Sequence, residues 1–351
     1  MAVTYDELYR YYHELRHICD EYKAFEREPF MDFCLLMDKA FHMTHKVNLE
    51  TGEITIPRGF GPGDYEEMYN ALRKAASEMK PLHNPAEDKI LLWEGDNTPW
   101  DGFTKEEFIR ISHDGPEFVP HMVPFLQNDG KRHPSVLITG GSYRCHHVEG
   151  WQMAEFYHGL GYNAFILNNR HGNGAKVRHT MNRALDLQRA IRYLRYFADD
   201  LGVNPEKIFT NGFSMGNRAT IDLINTLGYT TMPQKIDCNY VPDAIDACSA
   251  RLNAYVGVYP ATFMYDDHNN YRDFPPTFFA IGNLDWSLWR MMPFMADLAV
   301  NNVPVELHMF DGIDHGFGMG EKREGSNAPW TPSIAEWTHL LQLWLERVIG
   351  D

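Results

Sequence analysis

Three residue types suited to nucleophilic acyl transfer occur in a telling order: Ser214, then Asp285, then His315. Ser214 sits in Gly212-Phe213-Ser214-Met215-Gly216, a G-x-S-x-G pattern that follows a short apolar run and opens a helical one. Flanking glycines let a strand turn at once into a helix, so the hydroxyl stands at a strained corner above the sheet. A helix N-terminus there, with its unpaired N–H groups, favours developing negative charge. Serine is a poor nucleophile at its own pKa. It needs a neutral imidazole within hydrogen-bond reach and a carboxylate that fixes the imidazole tautomer. Asp311 and Asp314 lie nearer His315 in sequence, but neighbouring loop side chains point apart, so Asp285 is the expected partner.

A five-residue pattern recurs by chance in chains this long, so its surroundings must decide. The alternation of strand and helix supplies them. Short apolar runs at 135–139, 162–167, 207–211, 253–259, 277–282 and 305–310 read as strands, and 150–160, 181–201, 215–227, 290–301 and 333–349 as helices. Such a rhythm predicts an α/β protein with a mostly parallel sheet covered by helices on both faces. Reactive groups then gather at the carboxyl ends of the strands. Asp285 and His315 each follow a strand, and Gly140-Gly141-Ser142-Tyr143 follows another, as a small-residue turn whose N–H groups could face an oxyanion. A Gly-Gly turn also serves as plain tight-turn geometry.

Ahead of this lies a different region. Residues 5–22, 30–41 and 64–79 carry apolar residues at helical spacing, residues 48–63 are rich in turn formers and suit a loop or short hairpin, and 81–87 reads as a linker. The expected division is a helical N-terminal extension at 1–85 and a catalytic domain at 86–351. Within the latter, 89–93, 107–112 and 118–125 read as short strands of a leading antiparallel portion.

Composition bounds the function. The 351 residues are 44% hydrophobic, enough for a sizeable core, and 48 Asp+Glu against 32 Lys+Arg give a formal charge of −16, which argues against nucleic acid as a partner. Five cysteines, with no C-x-x-C pair, do not suggest a disulfide framework or a zinc site. The adjacent His146 and His147 resemble a metal pair only superficially, so neither metal nor cofactor is expected. With no basic and apolar leader and no run of membrane-spanning length, the expected location is cytoplasmic, with no membrane partner.

In these motifs the chain resembles the α/β-hydrolase esterases, in particular the acetyl esterase and acetylxylan or feruloyl esterase-like group. The resemblance runs from about Ile90 to the C-terminus. It rests on Leu92-Trp-Glu-Gly95, Pro134 to Tyr143, Glu149-Gly150, Gly161 to Asn168, Gly212 to Gly216, Asp243 to Arg251, Val258-Tyr-Pro260 and Asp314 to Gly318. It implies an α/β-hydrolase fold, the triad Ser214, Asp285 and His315, and oxyanion N–H groups from Gly141 or Ser142 together with Met215. Ser142 stands where the family usually has a third glycine, and Asn217 where many relatives have a second one after the serine. Both departures bear on pocket shape more than on chemistry.

Tyr143, Trp286, Trp289, Arg290 and Phe317 flank the triad loops and are candidates to line a substrate pocket, and Asn169, Arg170 and His171 end a central strand. The expected activity is hydrolysis of short-chain acyl esters, by resemblance acetyl groups on carbohydrate, so the expected partner is a small-molecule or oligosaccharide ester. A prolyl-oligopeptidase-like peptidase shares the motif and the triad order, although the chain is too short for a propeller domain. A non-catalytic binding protein on the same fold is the alternative of another class. The N-terminal helices could serve as a lid, as cover for a sheet edge or as a surface for homo-oligomers.

Overall fold

A computed structural model describes residues 2–47, 54–111, 118–141, 147–170, 181–261, 271–322 and 330–350. The chain divides into two compact units, one holding Met1–Ile90 and Phe103–Val119, the other Leu91–Gly102, Pro120–Arg170 and Met181–Asp351.

Three helices make most of the first unit: α1 (Tyr5–Leu15), α2 (Arg27–Thr44) and α3 (Pro62–Glu78). Thr4 caps α1 reciprocally with Glu7: the Glu7 N–H donates to Thr4 Oγ1 at 3.3 Å and the Thr4 N–H to Glu7 Oε2 at 2.8 Å. The apolar stripes meet inside, burying Leu8, Tyr12, Phe30, Phe33, Met37 and Leu72. Full burial of each such side chain contributes about 1.5–3 kcal/mol. Lys46–Val47 (β1) and Ile54–Thr55 (β2) pair antiparallel, and the residues between them lie outside the described ones.

One expectation is overturned in this unit. The stretch 107–112, expected to be a strand, falls largely within a helix, α4 (Lys105–Ile111). Thr104 and Glu107 form a second capping box, with the Glu107 N–H on Thr104 Oγ1 at 3.1 Å and the Thr104 N–H on Glu107 Oε2 at 2.9 Å. Six residues hold too few periods to separate strand from helix, and the cap decides it.

The second unit is built on an eight-stranded sheet. Its strands are β3 (Ile90–Leu91), β4 (His121–Phe125), β5 (His133–Thr139), β6 (Asn163–Asn168), β7 (Val203–Phe213), β8 (Ala254–Val258), β9 (Thr277–Gly282) and β10 (Val305–Phe310). Their order is β10-β9-β8-β7-β5-β6-β4-β3. From β6 to β10 every pairing is parallel, and β4 runs antiparallel to β6. Strands β6, β8 and β9 are buried along their whole length, as is the last half of β7, which is the pattern of a sheet covered on both faces. The unit's helices are α5 (Met153–Gly159), α6 (Asn182–Tyr196), α7 (Asn217–Asp222), α8 (Leu288–Val300) and α9 (Trp337–Val348).

Two polar clusters give structural partners to residues of the sequence motifs. Arg170, just past β6, is buried against Asp186 of α6: its Nη2 lies 2.6 Å from Oδ1, its backbone N–H donates to Oδ2 at 2.7 Å, and its guanidinium sits 4.8 Å from the Trp100 ring centroid. Asn169 bonds the Arg170 carbonyl at 3.1 Å, and His171 lies outside the described residues. Arg189 of α6 grips both carboxylate oxygens of Asp243, and Tyr240 donates to Asp246 at 2.7 Å, which accounts for the first acidic residues of the 243–251 motif.

Candidate active site

The corner at Ser214 is made by contact, not by local preference. Ser214 follows directly on β7 and has φ of +47°, a left-handed backbone that non-glycine residues avoid. A side chain on Gly216 would meet the Thr139 carbonyl oxygen at 2.2 Å and the Gly140 oxygen at 2.3 Å, so only glycine lets the turn cross the end of β5. Asn217 then clamps the turn from within. Its Nδ2 donates to the Ser214 carbonyl at 3.0 Å and the Val258 carbonyl at 3.2 Å, while its Oδ1 accepts the Tyr255 hydroxyl at 2.7 Å. The departure from a second glycine is thus a fully engaged, buried amide.

Neighbouring parallel strands β9 and β10 present the other two groups. Asn283 ties their loops together: its N–H donates to the Phe310 carbonyl at 2.9 Å, its Oδ1 accepts the Gly312 N–H at 2.8 Å, and its Nδ2 donates to Asp311 Oδ1 at 2.6 Å. A side chain on Gly282 would meet the Ile313 carbonyl oxygen at 2.1 Å, so the loops also cross closely. Asp311 is occupied by Asn283, and Asp314 accepts the His315 backbone N–H at 2.7 Å. Asp285 is left to face the imidazole.

The geometry closes from here. His315 Nε2 lies 2.7 Å from Ser214 Oγ, and its Nδ1 lies 2.8 Å from Asp285 Oδ2. The other carboxylate oxygen of Asp285 accepts both the N–H and the Oγ–H of Ser287 at 2.8 Å each. The carboxylate is therefore held at both ends, in a buried setting where each charge-assisted bond counts. Ser214 is 7% exposed, and so nearly buried.

Of the other expected residues, the structure brings some to the triad and not others. The Trp286 ring lies 5.1 Å from His315, and Phe317 packs edge-on against Tyr259 at 4.7 Å, whose own ring is 5.0 Å from His315. Trp289 instead stands out from α8, 67% exposed, with the Arg290 guanidinium 4.5 Å from its ring centroid. Met215 is in the first turn after the strand, where an N–H has no acceptor within the helix. Gly141 lies beside Ser214, but its N–H donates to Glu149 Oε2 at 2.7 Å. Ser142, Tyr143, His146 and the His147 side chain lie outside the described residues.

Sequence reasoning missed Ser287 and the roles of Tyr259, Asn217 and Glu149, the last three of which it held only as motif positions. Only Ser287 left a local signal, as a hydroxyl two residues after an aspartate at a helix start.

No protein-family model matches the chain. Among solved structures it is similar to an acetyl ester-xyloside bifunctional hydrolase from Caldicellulosiruptor lactoaceticus, at 25% identity and a TM-score of 0.59, over 75% of this chain and 96% of that one. It is also similar to MGS-M1, an α/β hydrolase from a Medee basin deep-sea metagenome library, at 25% identity and a TM-score of 0.52, over 66% of this chain and 93% of that one. This protein has the α/β-hydrolase fold. A third likeness within that fold is the carboxylesterase Cest-2923 from Lactobacillus plantarum, at 15% identity and a TM-score of 0.51, over 66% of this chain and 94% of that one. In sequence alone, 102 residues are 31% identical to endo-1,4-β-xylanase B of Butyrivibrio fibrisolvens, a match that spans 28% of this chain and 16% of the xylanase. Among the described residues of this α/β-hydrolase fold, no helix is long and apolar enough to cross a membrane.

Proposed function

We propose that this protein is a serine ester hydrolase that works through an acyl-enzyme on short acyl esters, with acetyl groups on carbohydrate as the leading substrate. One observation carries the reading: the unbroken line from Ser214 Oγ through His315 to Asp285, with contacts of 2.7 and 2.8 Å. His315 Nε2 takes the serine proton as Ser214 Oγ bonds to the ester carbonyl carbon. The imidazolium that forms is stabilised by Asp285. As the tetrahedral adduct collapses, His315 returns the proton to the alcohol leaving group. Water, deprotonated by the same imidazole, then releases the carboxylic acid.

The acetyl and carbohydrate preference draws on the solved acetyl ester-xyloside hydrolase, matched over 96% of its length, and on the local likeness to a xylanase. Trp286 beside His315 offers an aromatic wall for the substrate. Ser214→Ala tests the chemistry. Hydrolysis of p-nitrophenyl acetate should drop on the order of 10⁴-fold or more with an unchanged thermal midpoint, and undiminished turnover would refute the assignment. Acetylated xylan, acetylated mannan, simple acyl esters and aminoacyl amides assayed side by side then define the substrate. Amide cleavage faster than ester cleavage would favour a peptidase.

A further inference from the structure

Glu149 has no place in the triad, yet its carboxylate lies beside the nucleophile. It comes from the turn His147–Gln152 that leads into α5. Its Oε2 accepts the Gly141 N–H at 2.7 Å, and its Oε1 accepts the Tyr259 hydroxyl at 2.8 Å. A methyl group placed on Gly141 would lie 3.0 Å from Glu149 Oε2 and 3.5 Å from Ser214 Cβ, so carboxylate and nucleophile flank one point.

The peptide joining Gly140 to Gly141 is thereby gripped from both sides. Its carbonyl oxygen packs against Gly216 so closely that a Cβ there would lie 2.3 Å away, and its N–H is held by Glu149. In a trans peptide these two groups point in opposite directions, so fixing both fixes the plane. A carboxylate suits this task because, ionised, it only accepts, and it takes two donors without needing one of its own satisfied. The second donor extends the grip. Tyr259, at the end of β8 with φ of +35°, sets its ring 5.0 Å from His315.

We propose that Glu149 is a positioning residue for the acyl-transfer site: through Gly141 it sets the plane of the Gly140–Gly141 peptide beside Ser214, and through Tyr259 it ties that peptide to the ring packed on His315. This rests on the acyl-transfer reading of Ser214.

The test compares Glu149→Ala, Glu149→Gln and Tyr259→Phe with the wild-type chain, measuring kcat and KM for p-nitrophenyl acetate and the thermal midpoint. Glu149→Ala should lower kcat about 100-fold with KM within threefold. Glu149→Gln keeps an oxygen for the Gly141 N–H and should restore kcat at least tenfold over the alanine variant, and Tyr259→Phe should fall between the wild type and Glu149→Ala. A kcat for Glu149→Ala within threefold of wild type, or above it, overturns the proposal, the latter marking the carboxylate as an obstruction. A rise in KM matching the loss in kcat would make Glu149 a substrate contact and also overturn it. If the wild type hydrolyses no acyl ester, the esterase reading fails by itself, and the clamp is read from the Gly141 amide proton in glycine-labelled protein. That resonance should lie downfield and move upfield in Glu149→Ala and Glu149→Gln; an unmoved resonance refutes the clamp.

Discussion

Replacing Asp285 by asparagine should silence the protein through the tautomer of His315, and the structure says which way the new amide will point. Asp285 Oδ1 accepts two donors, the N–H and the hydroxyl of Ser287, at 2.8 Å each. An amide NH2 cannot take that place, so the asparagine oxygen must occupy it and the NH2 must face His315 Nδ1. Nδ1 then becomes an acceptor, the proton moves to Nε2, and Nε2 turns from acceptor to donor toward Ser214 Oγ, 2.7 Å away. A serine facing an N–H has no base. The loss expected from a wrong tautomer in an otherwise intact triad is about 10⁴-fold in kcat, or about 5 kcal/mol of transition-state stabilisation. The assay is kcat for p-nitrophenyl acetate at neutral pH, paired with nitrogen NMR of the imidazole to read which nitrogen carries hydrogen. A variant within tenfold of wild type, or one that keeps its proton on Nδ1, would refute the reasoning. Ser287→Ala alone retains the backbone N–H and should cost less than tenfold.

Asn217→Ala removes the partners of the Ser214 and Val258 carbonyls and of the Tyr255 hydroxyl, all buried. A loss of about 2–4 kcal/mol in urea unfolding, with kcat down at least tenfold, is expected, and a change under about 1 kcal/mol would show that the clamp carries no weight. In the helical unit, burial first and the positive charge of Arg16 second hold His13 down to about 3 and His45 to about 4. The unfolded chain titrates near 6.5, so it binds more protons than the folded one below that pH: stability is intact above about 6.5 and falls as pH drops toward 4 and 3. At pH 5 each histidine should cost about 2 kcal/mol, read as the difference in urea unfolding between pH 7.5 and 5, and a His13→Gln, His45→Gln double variant should lose most of that difference. Equal wild-type stability at the two pH values would exclude this linkage.

The parts that sequence reading recovers are those coded locally. Strand β9 is legible because four apolar residues, Phe278 to Ile281, end in a glycine, and the order Ser214, Asp285, His315 is legible because each follows an apolar run. Helix α4 reads as a strand although Thr104 and Glu107 spell its cap, because apolar spacing over six residues outweighs a four-residue signal. The supports of the site are another matter. Glu149 meets Tyr259 across 110 residues, and Asn217 meets Tyr255 across 38. Such pairs exist only once the sheet order is known, and the short motifs that contain Glu149, Tyr259 and Asn217 do not say what each side chain meets. A glycine replaced by asparagine looked like a change of pocket shape, and its meaning as a clamp came from two carbonyls and a hydroxyl on other strands.

The left-handed backbone at Ser214 has a consequence for when its cost is met. A residue forced to φ of +47° sits about 1–3 kcal/mol above its relaxed state, and here sheet packing and the Asn217 amide leave it nowhere to relax. The expense therefore falls once, as the chain folds, and not again with each turnover. The same arrangement means that this serine's geometry has no existence apart from the sheet. Loosen β7 from β8, and Ser214 becomes an ordinary serine.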